Sequence, residues 1–344
     1  MINDIAKIIV FLLLLLAVFL ITVPSKNKTA NYFFAAFLVV TSFDFTALFL
    51  RDVYIQIPSL NSIRVASVFL QMPLFYFYVK TTCYTNYSLS PKLLLHGIPF
   101  AVFSILFLNI GLSGKTDLIY EASGQIQYYS YIIIILYTLK QYRNSYLENY
   151  TSENETYKWL KTTTILFLIG NSLVVLRAFV NQDMLRVLNT AIFLFALTII
   201  CWFVLKTMRS PHLFTGIEKE IKPLPQKETI EESDQYDKDI KLINQFMEEK
   251  KPYLDDALTL QKLAEQIDIP EKRLSFIINK VVGKHFYDYI NFHRIEEAKI
   301  LLKNKGLNIQ EIMYEVGFNS KSSFNTAFKK NTSTTPSSYR KSNT

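Results

Sequence analysis

Residues 309–330 read "IQEIMYEVGFNSKSSFNTAFKK". Ile309, Ile312 and Val316 recur at the three- to four-residue spacing that gives a helix one apolar face. Gly317 then interrupts the pattern and can supply a left-handed turn residue. Ser320 is suited to cap a second helix, in which Phe324, Ala327 and Phe328 resume the helical spacing. Two short helices joined by a short turn containing glycine make a helix-turn-helix.

The same pattern occurs earlier in the chain. Leu260, Leu263, Ile267 and Ile269 precede Ile309, Ile312, Val316 and Phe318 by 49 residues, and Leu274 and Ile278 precede Phe324 and Phe328 by 50. The break in this first copy is "IDIPEK", where Pro270 suits the first turn of the following helix. Between the copies, "FYDYINFHRIEEAKILLKN" carries Ile290, Ile295, Ala298, Leu301 and Leu302 on one face. It predicts a continuous helix of about 18 residues, roughly 27 Å long. Successive major-groove faces on one side of DNA are about 34 Å apart. A rod of that length, with the width of two modules added, can set both second helices into successive grooves.

Residues 240–340 resemble the DNA-binding domain of the AraC/XylS regulators. The second copy carries the signature: Ile309, Glu311, Ile312, Val316, Gly317, Phe318, Ser320, Phe324, Phe328, Lys329, Thr335, Pro336, Tyr339 and Arg340. The first copy, "LTLQKLAEQIDIPEKRLSFIINKVVGKHFYDYIN", also matches. Two positions depart from the pattern. Met313 stands where a small residue is usual, and Ser333 where a glycine is usual. The resemblance implies sequence-specific binding to double-stranded DNA.

The residues opposite the apolar faces are the candidates for that contact. On the first recognition helix they are Lys272, Ser275, Phe276 and Asn279. On the second they are Ser322, Asn325, Thr326 and Lys329. Asn and Ser can hydrogen-bond base edges, whereas Lys mostly meets phosphate. Phe276 has two readings, packing on a thymine methyl or filling a protein interface. The net charge of residues 236–344 is only +4, and binding through phosphates is expected to depend strongly on salt.

The front of the chain has a different composition. Residues 1–209 hold 16 Lys/Arg and 9 Asp/Glu, against 18 and 14 in residues 236–344. Runs of about 18 or more apolar residues are long enough to cross a bilayer. Seven candidates lie near 4–23, 31–50, 60–79, 93–112, 126–142, 162–181 and 185–206, the fifth being the shortest. The first reads as a retained span rather than a signal peptide, because Asp4 and a single Lys7 make a poor positive region and no small-residue cleavage site follows. With seven spans, ten Lys/Arg fall in one set of connections and four in the other. The positive-inside rule then puts the N-terminus outside and the C-terminus in the cytoplasm. Residues 210–235, with three prolines and an acidic cluster, read as a linker. A helical stalk continuing the last span is the alternative for its first dozen residues.

Asp44, Arg64 and Arg177 lie within these spans. Ionisable groups in a bilayer are costly, face cavities and pair with one another. One reading pairs Asp44 with an arginine and gives the other arginine a role in binding an anionic or polar signal. The other lets the arginines snorkel to the surface and makes Asp44 purely structural. Cys83 and Cys201 read as buried free thiols, and His96, His212, His285 and His293 form no metal-ligand spacing.

The expected architecture is all-α: a seven-helix transmembrane bundle (1–209), the linker (210–235) and a cytoplasmic domain with two helix-turn-helix modules joined by a long helix (236–344). The resemblance implies a regulator in which a multi-pass domain of the bacterial cytoplasmic membrane replaces the usual soluble sensor. The expected partners are operator DNA, RNA polymerase, membrane lipid, an unknown small-molecule signal and a second copy of the chain. No cofactor or catalytic residue is expected. The alternative is a membrane transporter or enzyme with an attached autoregulatory DNA-binding domain. Against it, no nucleophile–base pair is evident, and Pro73 and Pro99 are not repeated in matching halves.

Overall fold

The computed structural model describes residues 2–84, 87, 90–111, 114–151, 154–210, 213, 233–303 and 306–343. Nearly all of the expected linker lies outside them. The chain divides into two units. One comprises Met1–Lys140 with Glu155–Glu220, the other Gln141–Asn154 with Ile221–Thr344.

The first unit is helical: α1 (Ile2–Thr22), α2 (Lys28–Phe45), α3 (Arg51–Gln56), α4 (Pro58–Cys83), α5 (Ile98–Ile110), α6 (Gly114–Leu147, ending in the second unit), α7 (Glu155–Leu176) and α8 (Gln182–Arg209). Helix α2 packs against both α1 and α4, α4 against α5, and α8 against α1 and α7. Aromatic rings fill the centre. Phe34 stacks on Tyr78 with centroids 4.4 Å apart, Trp159 stacks on Trp202 at 5.1 Å, and the Trp159 indole donates to the Tyr78 hydroxyl at 3.0 Å.

Among the described residues, six helical stretches are long and apolar enough to cross a membrane: Ile2–Thr22, Lys28–Leu48, Pro58–Cys83, Pro91–Ile110, Glu155–Phe179 and Gln182–Arg209. The other expected span, near 126–142, lies inside α6 and is not among the six. Its run Ile132–Leu136 is flanked by Gln125, Gln127, Lys140 and Gln141. Large apolar side chains point away from the bundle, among them Phe11, Val18, Val102 and Ile105, each more than half exposed. A helix that is apolar all round suits a lipid surrounding. The polar side chains of the spans are consistent with it. Thr41, Thr81, Thr164 and Thr207 each donate to the carbonyl four residues back, which satisfies a hydroxyl without water.

The second unit contains α9 (Ser233–Lys250), α10 (Leu260–Ile267), α11 (Glu271–Phe276) running into a π turn (Ile277–Val281), α12 (Phe286–Leu302), α13 (Ile309–Glu315), α14 (Lys321–Thr332) and α15 (Pro336–Asn343). Residues 149–151 also pack here. The Leu260 amide donates to the Asn149 carbonyl at 3.1 Å, Thr151 Oγ1 donates to the Leu258 carbonyl at 3.0 Å, and Tyr150 bridges Thr259.

Candidate nucleic-acid interface

Two apolar cores, one per module, hold the second unit. The first gathers Leu260, Leu263, Ile267, Ile269, Leu274, Ile277 and Ile278 with Phe286, Tyr289 and Ile290 of α12. The second gathers Ile312, Met313, Val316, Phe318, Phe324, Ala327 and Phe328 with Ile295, Ala298 and Leu302 of α12. The long helix therefore contributes its first half to one module and its second half to the other. Its 17 residues correspond to about 26 Å. Leu254 packs against both cores.

Three helices of the second unit begin at side-chain caps. Thr259 caps α10 by accepting from the Lys262 amide at 3.2 Å. Asn308 and Glu311 form a reciprocal capping box on α13, both bonds 2.8 Å. Ser320 caps α14 through the Ser323 amide at 3.2 Å. Gly317 adopts φ +86°, the left-handed turn its sequence position suggested. Met313 is accommodated in the second core, 3% exposed.

Ser333 also occupies the left-handed region, at φ 61°, where a side chain costs about 1–2 kcal/mol. Ser333→Gly is expected to stabilise the domain by about 0.5–1 kcal/mol, the relief being partly offset by glycine's greater chain entropy. A urea midpoint lower than that of the parent protein would contradict this.

On α14, Ser322, Asn325, Thr326 and Lys329 all face solvent on one side, while Phe324 and Phe328 point into the core. Lys321 is also exposed, at the first residue of the same helix. It was not among the sequence candidates, although its place just after the Ser320 cap could have suggested it. Lys330 is engaged by Asp288 at 2.6 Å.

The first recognition helix departs from expectation at two positions. Lys272 is exposed, and Asn279 is half-buried with Nδ2 donating to Ser275 Oγ at 3.2 Å. Ser275, expected to face outward, is buried at 6% exposure. At about 100° per residue it lies on the flank of the inward arc, and it is small enough to be covered. Phe276, also expected outward, packs on Tyr236 of α9 with centroids 5.4 Å apart. Phe276 remains half-buried there. Arg273 reaches the same helix, its Nε donating to Asp239 at 2.6 Å.

His293 of α12 has its ring stacked on Tyr253 at 5.6 Å and edge-on to Tyr289 at 4.9 Å. Burial, with a smaller contribution from Lys284, pushes its pKa down to about 4. The folded state thus binds a proton less readily than the unfolded chain, whose histidine titrates near 6.5. Stability from this group is complete above about pH 6.5 and is lost as pH falls toward about 4. Allowing for partial exposure, the loss should be about 1–2 kcal/mol. Urea midpoints followed by circular dichroism at about pH 7 and about pH 5 test this, and His293→Gln should narrow the difference.

In the first unit, Arg64 Nη1 donates to Asp44 Oδ1 at 2.7 Å. Asn61 Oδ1 accepts from Arg64 Nε at 3.2 Å and from Nη2 at 2.9 Å, and the guanidinium sits 5.2 Å from the Tyr54 ring centroid. Asp44 is therefore paired with Arg64. Arg177 is exposed in the 3-10 turn Arg177–Phe179 and is not brought to that pair. Among the described residues, no group of three His, Cys, Asp or Glu is placed to hold a metal ion.

Residues 263–342 match the family model described as "Helix-turn-helix domain". The chain is 36% identical over 93 residues to the uncharacterized HTH-type transcriptional regulator YijO of Escherichia coli, covering 26% of this chain and 33% of that protein. It is 32% identical over 88 residues to the HTH-type transcriptional regulator AlkR of Acinetobacter baylyi, covering 26% and 29%. Among solved structures, the C-terminal domain of the two-component response regulator yesN from Fusobacterium nucleatum is 37% identical, covering 30% of this chain and 98% of that one, with a TM-score of 0.27. The similarity thus spans about a third of the length of these two HTH-type transcriptional regulators. The C-terminal part of the chain is a helix-turn-helix DNA-binding domain of the AraC type.

Proposed function

We propose that the whole chain is a membrane-anchored, sequence-specific transcriptional regulator whose first unit responds to a signal in or outside the membrane. The observation that carries this is the exposed row Ser322, Asn325, Thr326 and Lys329 on α14, held over a core of Phe324 and Phe328. Lys272 and Asn279 supply the corresponding contacts of the first module, and Ser275 supports Asn279 from below. Phe276, half-buried with its ring against Tyr236, is left out of the base-reading set.

The test separates base readers from phosphate contacts. Asn325→Ala should lower operator affinity by about 1–3 kcal/mol and relax base preference. Lys329→Ala should weaken binding about equally on operator and scrambled DNA, and reduce the salt dependence by about one counterion. If Asn325→Ala leaves the operator-to-scrambled ratio unchanged while Lys329→Ala alters it, the two roles are reversed.

The orientation follows from the charge bias and requires α6 to cross the membrane as well as the six more apolar stretches. The N-terminus is then outside and the DNA-binding domain cytoplasmic, where operator DNA and RNA polymerase are available. A reporter fused after Thr344 should be active only as a cytoplasmic reporter. The Asp44–Arg64 pair is assigned to holding α2 against α4, and Arg177 to the outer membrane surface. Pairing of the DNA-binding domain with a second copy on a two-part operator completes the proposed assembly.

A further inference from the structure

Helices α1, α2, α4, α6, α7 and α8 of the first unit line a half-open cavity of about 240 Å³. Leu38, Phe167, Phe195 and Phe203 form much of its wall, and among the described residues no Asp, Glu, Lys, Arg or His lines it. Four polar side chains do reach it: Thr41, Gln71, Tyr128 and Asn171. Two are already committed. Thr41 donates to the Phe37 carbonyl at 2.8 Å, and Tyr128 donates to the Phe167 carbonyl at 2.7 Å. Asn171 donates through Nδ2 to Gln125 Oε1 at 2.9 Å, so its own amide oxygen remains available to accept. Gln71 is half-buried and makes no hydrogen bond among the described residues. An amide in an apolar surrounding is unfavourable unless it finds a partner.

We propose that this cavity binds a neutral amphiphile, an apolar chain or ring carrying one uncharged alcohol, ester or amide that meets Gln71 and Asn171. The proposal rests on reading the first unit as a sensing membrane domain and names the chemical class it senses. A charged group would enter without a counter-charge, which an apolar wall strongly disfavours. The volume lies just below the usual range of ligand sites, roughly 300–1,000 Å³, too small for a whole two-chain phospholipid. A single lipid chain and a small molecule partitioning from the bilayer share the chemistry required. Gly170 lines the cavity, and a Cβ there would meet only the edge of the Phe195 ring at 3.6 Å, so a larger side chain at that position would occupy the space.

The chain's two tryptophans report on this site. Trp159 and Trp202 lie 5.1 and 5.4 Å from Phe203 of the wall, ring to ring. The full-length protein in phosphatidylcholine nanodiscs, without DNA, is titrated with terminally brominated dodecanol, whose bromine quenches tryptophan on close approach. Saturable quenching that unbrominated dodecanol competes away is expected. Gln71→Leu should weaken it roughly 3–10-fold, the value of one neutral hydrogen bond, and Gly170→Leu should abolish it. Quenching that rises linearly with bound bromine, alike in the parent and both variants, overturns the site. Equal saturable quenching by brominated dodecanoate overturns the restriction to neutral ligands. Nanodiscs made with brominated phosphatidylcholine distinguish the sources: quenching relieved by dodecanol identifies a lipid chain as the resting occupant, and unrelieved background quenching assigns the site to the partitioning molecule. Operator binding is measured on the same samples. Loss of the ligand with DNA binding retained removes the cavity assignment and leaves the regulator reading standing.

Discussion

Gly317→Ala is expected to cost the DNA-binding domain about 3–5 kcal/mol, more than half the stability of a marginal domain. Two effects combine. At φ +86° any L side chain is strained, by about 1–2 kcal/mol. In addition, a Cβ there would lie 2.8 Å from the carbonyl oxygens of both Tyr253 and Leu254 and 3.0 Å from Arg294 Nε. Two of these neighbours are backbone, so neither can swing aside, and the turn must move as a whole. Gly283 provides the control. It has a similar φ of +72° but nothing within 4 Å of the same position, so Gly283→Ala should show only the conformational strain, about 1 kcal/mol. Urea midpoints of the two variants measure the difference. Equal losses would mean that the close approach around Gly317 is easily relieved.

That glycine also shows what the sequence makes visible. Gly317, the Ser320 cap and the apolar positions Ile312, Val316, Phe324 and Phe328 are local features, and local features have periods and breaks that can be read along the chain. The close approach of Gly317 to the 253–254 backbone is not local and leaves no pattern. The same distinction explains Phe276. Its exposure follows from helical periodicity, but its partner Tyr236 lies 40 residues earlier at the start of α9. It explains residues 149–151 too. Their pairing with Leu258–Leu260 crosses more than 100 residues, and a backbone hydrogen bond has no residue signature. In the first unit, the apolar stretches are legible because lipid sets a length. An isolated Asp44 in such a stretch announces a need for a partner. Choosing Arg64 over Arg177 requires knowing that α2 packs on α4.

Arg294 was read only as part of the long helix, yet a large loss of specific DNA binding is expected from replacing it. It is 2% exposed and lies near the middle of α12. Its Nε donates to the Tyr253 carbonyl at 2.6 Å and its Nη2 to the Asp255 carbonyl at 2.8 Å. The guanidinium also sits 5.4 Å from the Phe318 ring centroid in the second module. Burial lowers its pKa to about 10, so the group stays charged at neutral pH. One side chain thus ties the 252–255 turn, whose Leu254 touches both cores, to the turn of the second helix-turn-helix. Removing it takes this donor from the buried Tyr253 carbonyl and from the part-buried Asp255 carbonyl, and each bond from a charged donor is worth about 1.5–3 kcal/mol. Arg294→Ala should therefore cost about 3–5 kcal/mol. Arg294→Met should cost less, because it fills the space and removes the need to desolvate a cation. The effect on DNA separates the modules' spacing from mere stability. Under conditions where Arg294→Met remains folded by circular dichroism, operator affinity should fall at least tenfold, about 1.4 kcal/mol, while affinity for scrambled DNA changes little. Phosphate contacts tolerate a loosened spacing, whereas base contacts from two helices in successive grooves do not. An equal fall on both DNAs would show that Arg294 only stabilises the fold and does not fix the distance between the recognition helices.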